Sequence, residues 1–204
     1  MKKILISIIA CIILAIPAAK AEFRWGATAG VNGNSLLFKQ NLVGTSSTFG
    51  YSAGVLGELM FPGIGFGIDL GLLYNQQGGK VNLGEREVWS SLGYGNEQVY
   101  LHSINIPVHL RFKYTRLNGL EYKIAPIVYG GPEFNIQVAH GHCDAFKYSG
   151  GDLSLAVGAG VELYQKWQIT GGYTWGMTYA LKTKLLDNFS ARSRLWHLRV
   201  AYLF

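Results

Sequence analysis

The chain has 204 residues, with 18 Lys and Arg against 12 Asp and Glu and 13% aromatic residues. That length suits one domain, and a net charge of +6 with no basic run leaves no electrostatic footprint for nucleic acid. Two cysteines, Cys11 and Cys143, are too few for a disulfide framework.

Met1-Lys2-Lys3 opens the chain, and an almost wholly apolar run from Ile4 to Ala19 follows, interrupted by Ser7 and Pro17. Ala19-Lys20-Ala21 then supplies the small–x–small pattern of a signal-peptidase site. The run falls short of the about 20 residues a membrane-spanning helix needs. Residues 1–21 are therefore expected to be a cleaved secretory signal peptide and residues 22–204 the mature domain. Cleavage leaves 15 basic residues against 12 acidic ones, a net charge of about +3. It also leaves Cys143 alone, so no intrachain disulfide can form.

Alternating segments then recur. Residues 23–32 put Phe23, Trp25, Ala27, Ala29 and Val31 on one face, and residues 49–61 do the same with Tyr51, Ala53, Val55, Leu59 and Phe61. A third segment, 65–76, sets Ile68, Leu70, Leu72 and Tyr74 against Gly67, Asp69 and Gly71. In 99–114, Ile104 to Phe112 alternate with Asn105, His109, Arg111 and Lys113; in 121–138, Ile124, Val128, Phe134 and Ile136 alternate with Lys123, Tyr129, Glu133 and Gln137. Segments 151–164 and 167–182 continue the rhythm, the latter with Ile169, Tyr173, Trp175, Met177, Tyr179 and Leu181 on its apolar face. The last segment ends Trp196-His197-Leu198-Arg199-Val200-Ala201-Tyr202-Leu203-Phe204.

Connections alternate in length: 33–48, 77–98, 139–150 and 183–193 are long, whereas 62–64, 115–120 and 165–166 are short. Long loops on one rim and tight turns on the other fit an eight-stranded antiparallel up-and-down transmembrane β-barrel, with both termini on the periplasmic side. A secreted lipocalin-like barrel also has eight strands. Its core would have to form from the Gly-, Ser-, Thr- and charge-rich face, which packs poorly. The membrane barrel is the better reading. An aromatic-edged final strand agrees, because barrel closure removes an edge that would otherwise pair with other chains. Phe204 with Tyr202 two residues earlier resembles the sorting signal that such barrels present to their assembly machinery.

Four stretches strengthen this. Leu72-Leu73-Tyr74-Asn75-Gln76-Gln77-Gly78-Gly79-Lys80, Ile104 to Tyr114, Gly130-Gly131-Pro132 and Gly158-Ala159-Gly160-Val161-Glu162 occur in the order and spacing of motifs in one family. With them the chain resembles the PorT-like outer-membrane barrels of Bacteroidetes. The resemblance implies fold and outer-membrane location and leaves activity open.

Inward parity collects Arg24, Glu58, Asp69, Arg111, Lys123, Glu162 and Arg199. Neighbouring strands are expected to pair Arg24 with Glu58, Asp69 with Arg111 and Lys123 with Glu162, with Arg199 closing towards the first strand. An eight-stranded barrel has an interior that side chains just fill, and charges buried there must be paired. Ion pairs plugging the lumen are therefore expected; the competing picture is a loosely hydrated lumen.

Other candidates are weaker. His140-Gly141-His142-Cys143-Asp144 offers nitrogen, sulfur and oxygen donors suited to Zn or Cu, against the plain reading of a hydrated loop. Leu36-Leu37-Phe38 in the first outside loop, and Trp89 and Tyr94 in the second, either mark a partner site or fold over the barrel mouth. His102 and Ser103 are adjacent on a strand and face opposite ways, and no Gly-x-Ser-x-Gly elbow is present, so hydrolase chemistry is disfavoured. No cofactor is implied. The expected partners are outer-membrane lipids, the barrel-assembly machinery and a surface or periplasmic protein. The reading is a non-enzymatic barrel whose outside loops bind a partner or shield the surface; the alternatives are a small-solute pore and a lipid-modifying enzyme.

Overall fold

The computed structural model describes residues 22–38, 44–61, 63, 65–82, 90–91, 93, 95–115, 120–141, 146–183 and 190–204. Residues 1–21, where a leader is expected, lie outside the described residues, as do Trp89, Tyr94, His142 and Cys143.

Eight long strands form the wall: β1 (Glu22–Phe38), β2 (Thr48–Met60), β3 (Phe66–Asn82), β4 (Asn96–Lys113), β5 (Ile124–His140), β6 (Gly151–Leu163), β7 (Trp167–Gly176) and β8 (Ser190–Leu203). Each pairs antiparallel with its neighbour in sequence. Strand β8 then pairs with β1, from Gly26 opposite Leu203 to Phe38 opposite Ala191, and the sheet closes. Closure leaves no unpaired edge within the wall, the condition lipid imposes on a spanning sheet.

Outward parity carries the apolar side chains, and many stay exposed, including Leu70, Leu110, Val128 and Leu155. Aromatic belts bound this band. At the short-turn end Trp25 meets Phe204 (ring centroids 4.5 Å apart), Trp167 meets Tyr202 (4.9 Å) and Phe66 meets Phe112 (4.9 Å). At the long-loop end Phe49 meets Trp196 (5.9 Å), Tyr51 meets Tyr74 (6.0 Å) and Tyr173 meets Trp175 (4.8 Å). Two such girdles around an apolar band mark a membrane-spanning barrel, with the long-loop end extracellular.

Several strand ends differ from the sequence expectation. Strand β1 runs on to Phe38, and β3 and β4 stay paired up to Asn82 and Asn96, beyond the extracellular belt. Gly78-Gly79 reads as a loop, yet glycine is what the ladder needs there: a Cβ on Gly79 would meet Leu36 at 3.2 Å. Strand β7 stops at Gly176, and Leu181–Thr183 is a separate short strand. Leu181 is consequently buried, not outward. Strand β5 starts only at Ile124, because Leu120–Tyr122 forms a 3₁₀ turn.

Candidate functional site: the filled lumen

The inward side chains stack in four tiers. Lowest, nearest the periplasm, is an ionic cluster centred on Glu58, which has 0% exposure. Its carboxylate accepts from Arg24 Nη2 (2.5 Å) and Gln168 Nε2 (2.7 Å), and Arg111 Nη1 lies 3.0 Å away. Arg111 also clasps Asp69 through Nη2 (2.6 Å) and Nε (2.7 Å). Arg24 reaches across to Glu162 (2.8 Å), which Lys113 meets from the other side (2.5 Å). Three cations and three carboxylates thus link β3 to β6 through the barrel axis. The register explains the centre: Glu58 lies directly opposite Arg24 on β1 and Asp69 on β3, so two carboxylates side by side require the guanidinium of Arg111 between them.

Above it, Glu133 lies 3.2 Å from His109 Nε2 and 3.8 Å from Arg199 Nη1. Tyr129 stacks on His109 (5.1 Å) and its hydroxyl bonds His197 Nε2 (2.7 Å). Gly158 and Gly172 make this crossing possible, since a Cβ at either would collide with the Tyr129 ring or hydroxyl, at 2.6 Å in the case of Gly172. A cavity of about 60 Å³ remains beside Thr28, Asp69, His109, Arg111 and Arg199, room for a little water and no more.

The third tier is amide. Asn32 donates to Asn75 (2.6 Å), Asn105 to Asn135 (2.7 Å), Asn135 to Asp152 (3.0 Å) and Gln77 to Ser103 (3.0 Å). The fourth tier, in the extracellular extension, is apolar: Leu36, Phe38, Val81, Val99, Leu101, Leu181 and Ala191 are all buried.

Placement of the expected residues is mixed. Arg24, Glu58, Asp69, Arg111 and Glu162 come together. Lys123 does not, because the 3₁₀ turn holds it exposed at the rim, and Lys113 takes its place on Glu162. Arg199 does not close onto β1 either: it faces Gly30 there, which has no side chain, and turns to Glu133. Phe38 is no exposed loop anchor, being paired opposite Ala191 and buried in the apolar tier. His102 faces outward, bonded to Tyr74 (2.5 Å), while Ser103 is buried inside. His140 is exposed at the end of β5. Tyr202 and Phe204 are in edge contact at 5.4 Å in the periplasmic belt.

The middle tier escaped the sequence reading. Tyr129, Glu133 and His109 were on inward parity, but nothing local says that Tyr129 and Glu133 of β5 meet His109 of β4 and reach His197 and Arg199 of β8 across the barrel.

Residues 17–181 match the family described as outer membrane protein beta-barrel domain. The chain belongs to that family. It is an integral outer-membrane β-barrel protein. The outer membrane protein OprG from Pseudomonas aeruginosa shares its fold, with a TM-score of 0.50 at 11% identity, covering 91% of this chain and 96% of that one. Two further similar structures are a major outer membrane protein from Thermus thermophilus (TM-score 0.48, 14% identity, 87% and 99% covered) and Neisserial surface protein A, NspA (0.47, 12%, 88% and 97%). No curated protein matches the chain.

Proposed function

We propose that this is a non-enzymatic, non-conducting barrel that works through its outer surface and extracellular loops, which bind a partner protein or shield the membrane. The observation carrying this reading is the network around Glu58, which joins β2 to β1, β4 and β7 and fills the axis with matched charge. Moving an ion past it would mean separating buried pairs, each costing several kcal/mol. An apolar tier closes the extracellular end as well. Within the same proposal fall a cleaved leader at 1–21, a PorT-like affiliation resting on the four motifs above, and Trp89 and Tyr94 as loop contacts.

Planar-bilayer recording of the purified barrel tests it. Silence at all holding potentials is expected, and steady single-channel conductance would favour the small-solute pore instead. Photocrosslinkers at Trp89 and Tyr94 in native membranes should trap a discrete protein adduct if the loops dock a partner.

A further inference from the structure

Among the described residues of the eight long strands, the charged side chains on the lipid-facing parity are Lys80, Arg192 and Arg194. All three are basic and all lie at the extracellular end. The Asp and Glu residues of the same strands take the inward parity. A wall facing only hydrocarbon would carry no such charges. Their confinement to the extracellular end places them at the membrane interface and beyond it, within reach of anionic headgroups.

Arg192 and Arg194 are the concentrated part of this collar. They alternate on β8, so both project outward about 7 Å apart. Register places Arg194 opposite Trp175 on β7 and one outward step beyond Trp196, whose ring meets Phe49 in the extracellular belt. Arg192 lies opposite Leu37 on β1. An aromatic belt sits at headgroup level, so the next outward step places the guanidinium groups among the headgroups. The Arg192 guanidinium is held 5.1 Å above the Tyr179 ring. That contact limits its rotamer freedom and leaves its edge donors open. No carboxylate of the described residues pairs with either arginine.

We propose that Arg192 and Arg194, above Trp175 and Trp196, hold a phosphate of an outer-leaflet lipid headgroup against the β7–β8–β1 face of the barrel. Planar guanidinium forks bind phosphate oxygens bidentately, and the tryptophans below supply an apolar seat for the top of the acyl chains. Lys80 stands three strands away around the barrel and contributes general attraction only.

The test uses the barrel refolded in detergent micelles and titrated with phosphorylated lipid A, dephosphorylated lipid A, or inorganic phosphate as competitor. Phosphorylated lipid A should bind the R192Q/R194Q variant about tenfold more weakly or worse, with K80Q within about twofold of wild type. R192K/R194K should fall between, since lysine keeps the charge and loses the fork. Both arginines are exposed, so the variants should keep the heat-modifiable mobility of a folded barrel. Any of three results overturns the proposal: undiminished binding by R192Q/R194Q, an equal loss in K80Q, or equal wild-type affinity for dephosphorylated lipid A. Displacement of lipid A by inorganic phosphate at millimolar concentration would assign the site to free phosphate and reject the lipid.

Discussion

Glu58 shows how much one residue carries here. Its two oxygens serve three partners on three other strands from a fully buried position. Glu58→Gln leaves Arg24 and Arg111 short of charge in a desolvated site, and should lower unfolding stability by roughly 2–4 kcal/mol in urea titration. Lys123→Gln, at the exposed rim, should change it by less than about 0.5 kcal/mol. Equal effects would mean that the lumen is wetter than its packing implies. The β6–β7 turn offers the opposite sign. Tyr164 and Gln165 both have positive φ, 50° and 59°, and Lys166 donates to the Leu163 carbonyl at 3.1 Å, which defines a type I′ turn. Glycine prefers that conformation and glutamine does not. Among the described residues, the side-chain bond at this position is the one that the Gln165 backbone carbonyl accepts from Arg24, which glycine retains. Gln165→Gly should therefore raise the urea midpoint by an amount equivalent to about 1 kcal/mol; an unchanged midpoint would remove strain from the account.

Strand β8 carries the sharpest division of labour. Its inward residues join the lumen, its upper outward residues form the arginine pair, and its end lies in the periplasmic belt, where Phe204 packs on Trp25 and its N–H donates to the Trp25 carbonyl at 2.8 Å. Deleting Phe204 removes both contacts at the closing seam. Less assembled barrel and more periplasmic aggregate are expected on heat-modifiability gels; normal assembly would argue against Tyr202 and Phe204 as an assembly signal. On β4, Val108 faces lipid opposite Leu70, midway between Phe112 of the periplasmic belt and Ile104, the partner of Tyr74. Val108→Arg should cost roughly 2–4 kcal/mol of membrane-folded stability, whereas Gln98→Arg, farther along the same strand in its extracellular extension, should cost little. Comparable losses would place the belts wrongly.

For the whole molecule, two seals stand in series. The apolar tier above the membrane and the ionic tier near the periplasm each close the lumen, with the amide tier between them. Phe38→Ala should loosen the upper seal and yet leave the barrel electrically silent, because the Arg24–Glu162–Lys113 bridge still spans it. Steady current from Phe38→Ala would transfer the sealing role to the apolar tier. The reverse arrangement of polarity also becomes intelligible at this scale. Within the bilayer the barrel is apolar outside and polar inside, and beyond the extracellular belt it regains an apolar interior because its outer face there meets water.

Strand number, faces and orientation were legible in the chain itself, since a period of two with alternating loop lengths depends only on local geometry and on which surface lipid accepts. Arg24 with Glu58 and Asp69 with Arg111 were legible too, because those partners sit on adjacent strands. Lys123, Arg199 and Phe38 were not. A three-residue 3₁₀ turn moved the first out of the lumen, a glycine opposite the second sent it across the barrel, and pairing beyond Asn32 drew the third inside. The links from Arg24 to Glu162, Tyr129 to His197 and Glu133 to Arg199 join strands that are not sequence neighbours. Such contacts depend on register and on curvature around a closed ring, and closure is a property of the complete set of eight strands that no single segment encodes.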